Sequence, residues 1–388
     1  MPKITSGQIV FLPEDRYIIS EKSPGITASA YTTLFNSAIQ NGETTELFKF
    51  FEEIAEKDPD ILHSISTRTS YVTSKEWTVE SENTQDAEMI EEALRNIKGD
   101  PTRGLITVDG LIEACLGNSY LTGLSFNEIV TDGEGIIGFN HVPSHFLTFH
   151  DSVYYPKLWT QETPTGVPFN KEKMIAHYLH HAEDPARGWL GHAIGWLYVL
   201  KRTAMDARLQ FQRKYGKGFL LVNMPGDRDS YEKAWETAED LISNYSDVDG
   251  AVFPADVMVD FKESQALDGE YFFTSEADFR SSITKVILGQ ESTSSAENSN
   301  RSTAEVHMEV LEQRIVDDCE TLEDTLTTQL IEKIKPILGI PEDSDCRFKF
   351  GVGEMEATLD DEMAEETIED GSPGETVTEE QETGEDVE

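Results

Sequence analysis

The sequence predicts an α+β protein made of long helices and small β segments, and three observations carry that reading. Apolar residues return at helical spacing in several extended blocks. Between those blocks lie short runs rich in β-branched and aromatic residues, bounded by Gly, Pro, Asn and Asp. Finally, 388 residues that are 38% hydrophobic and 9% aromatic suffice for a buried core, in spite of a net charge of −43.

Taken in order, the first 30 or so residues, with Pro13, Pro24 and Gly25, read as an extended arm. Leu47, Phe48, Phe51, Ile54 and Ala55 make a helical stripe, broken or restarted at Asp58-Pro59 and continued by Ile61, Leu62, Ile65 and Arg68. Residues 75–80 predict a strand, 86–98 a short helix, and 108–116 another that closes near Gly117-Asn118. A hairpin follows, 120–130 with 136–141 about a turn at Asp132-Gly133-Glu134-Gly135. The prolines of 143–185 suit short strands and turns. A long helix spans 188–215, with apolar Leu190, Ile194, Leu197, Leu200, Ala204, Phe211 and Tyr215. Then come a strand at 219–223, a helix at 229–245, and one bent or two short strands at 251–261. Ser275 with Asp278 has capping-box spacing and opens a helix that Gly289 stops. Residues 290–300, QESTSSAENSN, hold no large apolar side chain and are expected to be an exposed loop. Ser302 with Glu305 is a second capping box, opening a helix that runs to Pro336.

The charge excludes broad phosphate neutralisation, the source of most non-specific nucleic-acid affinity, unless the few cations are gathered in one place. Residues 353–388 hold 16 Asp/Glu and no Lys or Arg, which reads as an acidic disordered tail. Three widely spaced cysteines with no CxxC disfavour a disulfide framework or zinc ribbon. The start of the chain lacks a secretory pattern, and no run approaches about 18 apolar residues, so a soluble cytoplasmic product with no membrane partner is expected.

Candidate chemistry is sparse. His177, His180 and His181 lack a metal-binding spacing. Asp247-Val248-Asp249-Gly250 is only a fragment of a calcium loop, since Met258 stands where the closing Glu belongs. Neither a phosphate loop nor a nucleophile elbow is present. One cluster runs against the global charge: Lys201, Arg202, Arg208, Arg213, Lys214 and Lys217 face the single acid Asp206. Two readings stand. These cations complement the helix dipole and pair with acidic neighbours, or they form a band that meets phosphate.

Several short strings occur in a fixed order: Asp58-Pro59-Asp60-Ile61 with Arg68 and Trp77, Gly117-Asn118-Ser119-Tyr120, Pro185-Ala186-Arg187-Gly188 before Lys201, and Lys214-Tyr215-Gly216. Ile287-Leu288-Gly289-Gln290 and Ser302-Thr303-Ala304-Glu305-Val306-His307 follow. Over about residues 45–335 this order resembles the Mu-like portal protein family of tailed bacteriophages. The stretch after Gln290 departs from the family's Thr-rich form, and the acidic tail is an extra. The resemblance implies a ring of twelve copies at one vertex of the virion capsid, through which double-stranded DNA is packaged and later ejected. It implies the major capsid protein, the terminase large subunit and a head-to-tail adaptor as partners, with no catalytic residue, metal or cofactor of the chain's own.

It also implies an elongated portal-type subunit: an N-terminal arm (1–35), a wing (36–142 and 218–275), a clip (143–185), a stem helix (186–217), a tunnel helix and loop (276–301), a long helix toward a crown (302–340), and a C-terminal segment (341–388). On that scheme Gln290, Glu291, Ser292, Thr293, Ser294, Ser295 and Asn298 belong to the loop that meets DNA. Lys201, Arg202, Arg208, Arg213 and Lys214 lie on the stem. Two other classes compete: a phage-encoded metal-dependent hydrolase using Asp256, Asp260 and Glu263, and a non-ring acidic scaffold.

Overall fold

The computed structural model describes residues 2–5, 7–11, 26–132, 135–151, 154–179, 185–215, 219–223, 228–244, 258–262, 270–290 and 301–351. The expected acidic tail lies outside them. Two short strands, β1 (Lys3–Thr5) and β2 (Gln8–Val10), pair antiparallel at the start. The hairpin is tied down by a buried carboxylate: Ile9 donates its N–H to Glu128, 2.9 Å to Oε2, and the Asn140 amide donates to the Ile9 carbonyl at 3.0 Å. Burial pushes the Glu128 carboxyl above its ordinary range, against the pull of these donors.

Helix α1 (Ala28–Asn41) begins inside the stretch expected to be extended; Thr27 caps it by accepting from Ala30 N–H, and Gly42 ends it. Then come α2 (Thr45–Lys57) and α3 (Pro59–Thr73), joined through Asp58 alone. Its carboxylate accepts from the N–H groups of Asp60 and Ile61, and Pro59, which lacks the N–H a first-turn residue cannot use, fits behind it. The expected break is therefore a restart. Strand β3 (Trp77–Glu80) and α4 (Thr84–Arg95) lie where predicted. Helix α5 (Val108–Thr122) passes through Gly117-Asn118 and stops at Gly123, whose φ of 82° is the left-handed conformation a C-terminal cap requires.

Strands β4 (Leu124–Thr131) and β5 (Ile136–Val142) form the hairpin, shortened at its start by α5. The Pro-rich stretch gives β6 (Leu147–Thr148), β7 (Lys157–Leu158) and β8 (Met174–Tyr178). β8 adds to β4, so a three-stranded sheet of order β5-β4-β8 stands where a hairpin was expected. Helix α6 (Leu190–Tyr215), β9 (Phe219–Asn223), α7 (Glu232–Asn244) and β10 (Met258–Lys262) follow, with β9 and β10 paired antiparallel.

Helix α8 (Glu270–Leu288) starts before Ser275, so Ser275 and Asp278 lie inside it and cap nothing. Helix α9 (Arg301–Thr325) likewise opens one residue before Ser302, which is not its N-cap. A π-helical segment (Leu326–Ile331) and α10 (Glu332–Leu338) continue α9 without a break. Pro336 does not end this run: it sits in the last turn, and Gly339 closes it. The final strand, β11 (Arg347–Phe350), pairs antiparallel with β3.

One hydrophobic core unites these elements: Phe48, Phe51 and Ile54 of α2, Ile61 and Val72 of α3, Leu116 and Tyr120 of α5, Phe126 and Phe139 of the sheet, and Ile315, Leu322 and Leu330 of the long helix run. The long helix also covers two sheet edges. Gln329 accepts from Ala176 N–H and donates to the Ala176 carbonyl, both at 2.7 Å, while Thr327 and Glu323 accept the N–H groups of Phe348 and Phe350. Side chains thus take up edge groups of β8 and β11 that would otherwise template further pairing.

Candidate functional site: the base of the 291–300 connection

Helices α8 and α9 flank residues 291–300, and their junction is built from charge buried in the core. Gly289 ends α8 with φ 84° and the Arg314 side chain lies directly against it: a Cβ added at Gly289 would meet Arg314 Nε at 2.6 Å. The C-terminal carbonyls of α8, left without helical partners, are taken by two guanidinium groups. Arg314 Nη1 donates to the Val286 carbonyl at 2.9 Å and to that of Ile287 at 3.3 Å; Arg68 Nη1 donates to the latter at 2.8 Å. Cations at a helix C-terminus also complement its dipole.

Arg68 is itself held from three sides. Its Nε and Nη2 grip Asp318 on α9 in a bidentate pair at 2.7 and 2.8 Å, Tyr120 of α5 donates its hydroxyl to the same carboxylate at 2.9 Å, and the guanidinium lies 4.6 Å from the centre of the Tyr120 ring. Arg68 and Asp318 are each 2% exposed. Burial opposes charge on both, yet the bidentate contact keeps the guanidinium firmly protonated. The unit therefore ties α3, α5, α8 and α9 at the point where residues 291–300 begin. Gln290 is part of this base: it is 1% exposed, and among the described residues neither its amide oxygen nor its nitrogen has a partner. The expectation of an exposed loop thus fails at Gln290. Glu291, Ser292, Thr293, Ser294, Ser295 and Asn298 lie outside the described residues.

The described members of the cationic cluster, Lys201, Arg202 and Arg208, do not form one exposed band. Lys201 is 7% exposed and its ammonium reaches Asp58 at 2.7 Å and Asp60 at 2.6 Å, because the α2–α3 junction presses both carboxylates against α6. Arg202 pairs with Asp206 one turn on, and Arg208 with Glu276 of α8. The side chains of Arg213 and Lys214 lie outside the described residues. Of the two readings of this cluster, pairing with acidic neighbours describes Lys201, Arg202 and Arg208. Burial works against charge on Asp60, but Lys201 and Arg280 outweigh it and hold the carboxyl below its ordinary range. A depressed carboxylate stabilises the fold above the unfolded range near about 3.9 and loses that contribution as pH falls through the folded value. Urea midpoints of Asp60→Asn and the unmodified chain are therefore expected to differ at neutral pH and to converge on acidification; a constant gap would refute the assignment.

The other candidates separate in space or drop from view. His177 lies on β8, fully buried, with its Nδ1 3.0 Å from the Thr325 hydroxyl; His180, His181 and 247–250 are outside the described residues. So are Asp256, Glu263 and the side chain of Asp260, which falls on β10. Among the described residues no group of three or more His, Cys, Asp or Glu is placed to hold a metal ion, and no helix is long and apolar enough to cross a membrane.

Against known proteins, the family model described as portal protein of Mu bacteriophage matches residues 48–373. The Mu-like prophage FluMu protein gp29 of Haemophilus influenzae is 22% identical over 373 residues, covering 91% of this chain and 69% of that protein. In structure, an HK97-family phage portal protein from Corynebacterium diphtheriae is similar at a TM-score of 0.50 with 10% identity, over 77% of this chain and 93% of that one. A chain from the neck of a native gene transfer agent particle, computed with C12 symmetry, is similar at 0.51 with 13% identity, over 83% and 90%. The structures speak to the α+β fold alone, and the match over 48–373 to the lineage: the chain belongs to the family of the Mu bacteriophage portal protein.

Proposed function

We propose that twelve copies of this phage portal protein close into a ring at one capsid vertex, forming the channel through which double-stranded DNA enters and leaves the virion. The observation that carries the reading is the family match across residues 48–373. In this reading the ring sits within the major capsid protein shell. The segment 143–185 meets first the terminase large subunit and later the head-to-tail adaptor, 186–217 is the stem, and 302–340 runs toward the interior of the head. The segment 291–300, held at its base by Arg68 and Arg314, projects toward the DNA. The chain performs no catalysis of its own; the terminase supplies ATP hydrolysis.

Charge supports the reading. A conduit must let its cargo slide, and a ring of such chains carries roughly 500 excess negative charges, which repel phosphate rather than neutralise it. Electron microscopy of the purified protein, alone and co-produced with capsid components, is expected to show closed rings with a central hole wide enough for a duplex. Monomers or dimers under every condition would overturn the proposal, and metal-dependent hydrolysis by such a monomer would restore the hydrolase reading.

A further inference from the structure

Helix α1, ASAYTTLFNSAIQN, holds no charged residue, and it forms one wall of a groove of about 480 Å³ whose other wall is the turn at 159–165. Both walls are fixed from behind. On the α1 side, Phe149 donates its N–H to the Gly42 carbonyl at 2.9 Å and the Thr148 hydroxyl donates to the same oxygen at 3.1 Å. The approach is so close that a Cβ added at Gly42 would meet the Phe149 carbonyl carbon at 2.6 Å. On the far side, Trp159 donates its N–H to the Phe146 carbonyl at 2.7 Å, and Gly166 donates to that of Thr163 at 2.9 Å. The groove is thus shaped in advance, so a ligand need not order it on entry.

Its lining combines three chemistries. Half-buried Leu34 and Trp159 with exposed Pro164 supply apolar surface. Among the described residues nothing accepts from the indole N–H of Trp159. Glu43 and Glu46 stand exposed at the rim, and the Ser37 hydroxyl steadies Glu43 by donating to it at 2.7 Å. No Lys or Arg lines the groove, and His150 is engaged by Asp151 at 2.9 Å. Each feature restricts the ligand. The indole N–H calls for an acceptor, the two carboxylates for a cation, and the Trp159–Pro164 surface for a rigid apolar group. Phosphate is repelled by the carboxylates, and a small apolar molecule would leave both them and the indole N–H unmet.

We propose that this groove binds a proline-rich segment of a partner protein, held in the polyproline II conformation, together with a basic residue that flanks the prolines. Such a segment meets all three demands at once. Its prolines pack on Trp159 and Pro164. Polyproline II makes no internal hydrogen bonds, so a backbone carbonyl is available to the indole N–H, and its preformed helix has little entropy to lose in an aromatic-lined groove. The flanking Arg or Lys reaches Glu43 and Glu46. The proposal goes beyond the ring reading and does not depend on it.

The test uses the full chain and a fluorescent peptide of four Arg-Pro-Pro repeats. A peptide of four Arg-Gly-Gly repeats controls for the attraction that a chain of net charge −43 exerts on any cation. By anisotropy at about 0.15 M salt, the proline peptide is expected to bind at least about tenfold more tightly than the glycine peptide. Trp159→Phe keeps an apolar ring and removes the N–H, and should weaken binding of the proline peptide about two- to tenfold, the net effect of one hydrogen bond. Glu43→Gln with Glu46→Gln, both at exposed positions where the fold is not at stake, should weaken it by at least about threefold. Equal affinity for the two peptides, unchanged affinity in both variants, or no binding at about 1 mM peptide would overturn the proposal. Each of those results would leave the ring reading untouched.

Discussion

Arg68→Ala is expected to destabilise the folded subunit by about 3–5 kcal/mol, the range found when one partner of a buried ion pair is removed. The size follows from what would remain. Among the described residues Asp318, 2% exposed, would keep only the Tyr120 hydroxyl, and the Ile287 carbonyl would lose its Arg68 donor. The contact of the guanidinium with the Tyr120 ring would go too, which is worth on the order of 1 kcal/mol. Removing both charges together, as in Arg68→Met with Asp318→Leu, should cost much less, because the uncompensated charge and not the lost attraction dominates. Urea titrations at unchanged m-value would measure both. A single-variant loss below about 1 kcal/mol, or a double variant as damaged as the single, would show that the pair is not the anchor described.

Much of this fold was legible because it rests on local rules. The Asp58-Pro59 restart, the Trp77 strand and the Gly289 stop each follow from capping chemistry or periodicity within a few residues. Helix starts at 275 and 302 were misplaced for the same local reason: a Ser followed three places on by an acid fits a capping box, yet the preceding residues were able to extend each helix. The third strand of the sheet and the pairing of β11 with β3 depend on contacts across tens to hundreds of residues, which periodicity does not encode.

The site divides in the same way. Arg68 stands in the apolar stripe of α3, and Asp318 sits between Ile315, Cys319 and Leu322 on α9. An ionisable side chain at a core position in each of two helices is a visible sign of a buried pair, though not of which partners meet. Leu200 misled in the opposite direction: it follows the apolar period of α6 but faces outward. Lys201 reads as one of six clustered cations, and only the three-dimensional approach of the α2–α3 junction shows that it is spent on Asp58 and Asp60.

Exchanging residues 291–300 for a Gly-Ser linker of equal length, with Gln290 retained, is expected to leave the subunit folded and rings intact while particles lose most of their ability to package or hold DNA. The physical case begins at the base. Arg314 and Arg68 fix the last carbonyls of α8 from outside the exchanged segment, so the two helices keep their relation whatever connects them. Gln290 must stay because it is buried, and deleting it would leave a void in the core. The exchanged residues, Glu291 to Asn300, carry hydroxyls, amides and two carboxylates but no large apolar group and no cation. Such a set has nothing to contribute to a core and would touch a passing duplex through transient hydrogen bonds without neutralising its phosphates. Packaged DNA per particle, measured by nuclease protection, reads the effect. Normal packaging and retention in the linker variant would remove this segment from the DNA path, and loss of rings would instead assign it to assembly.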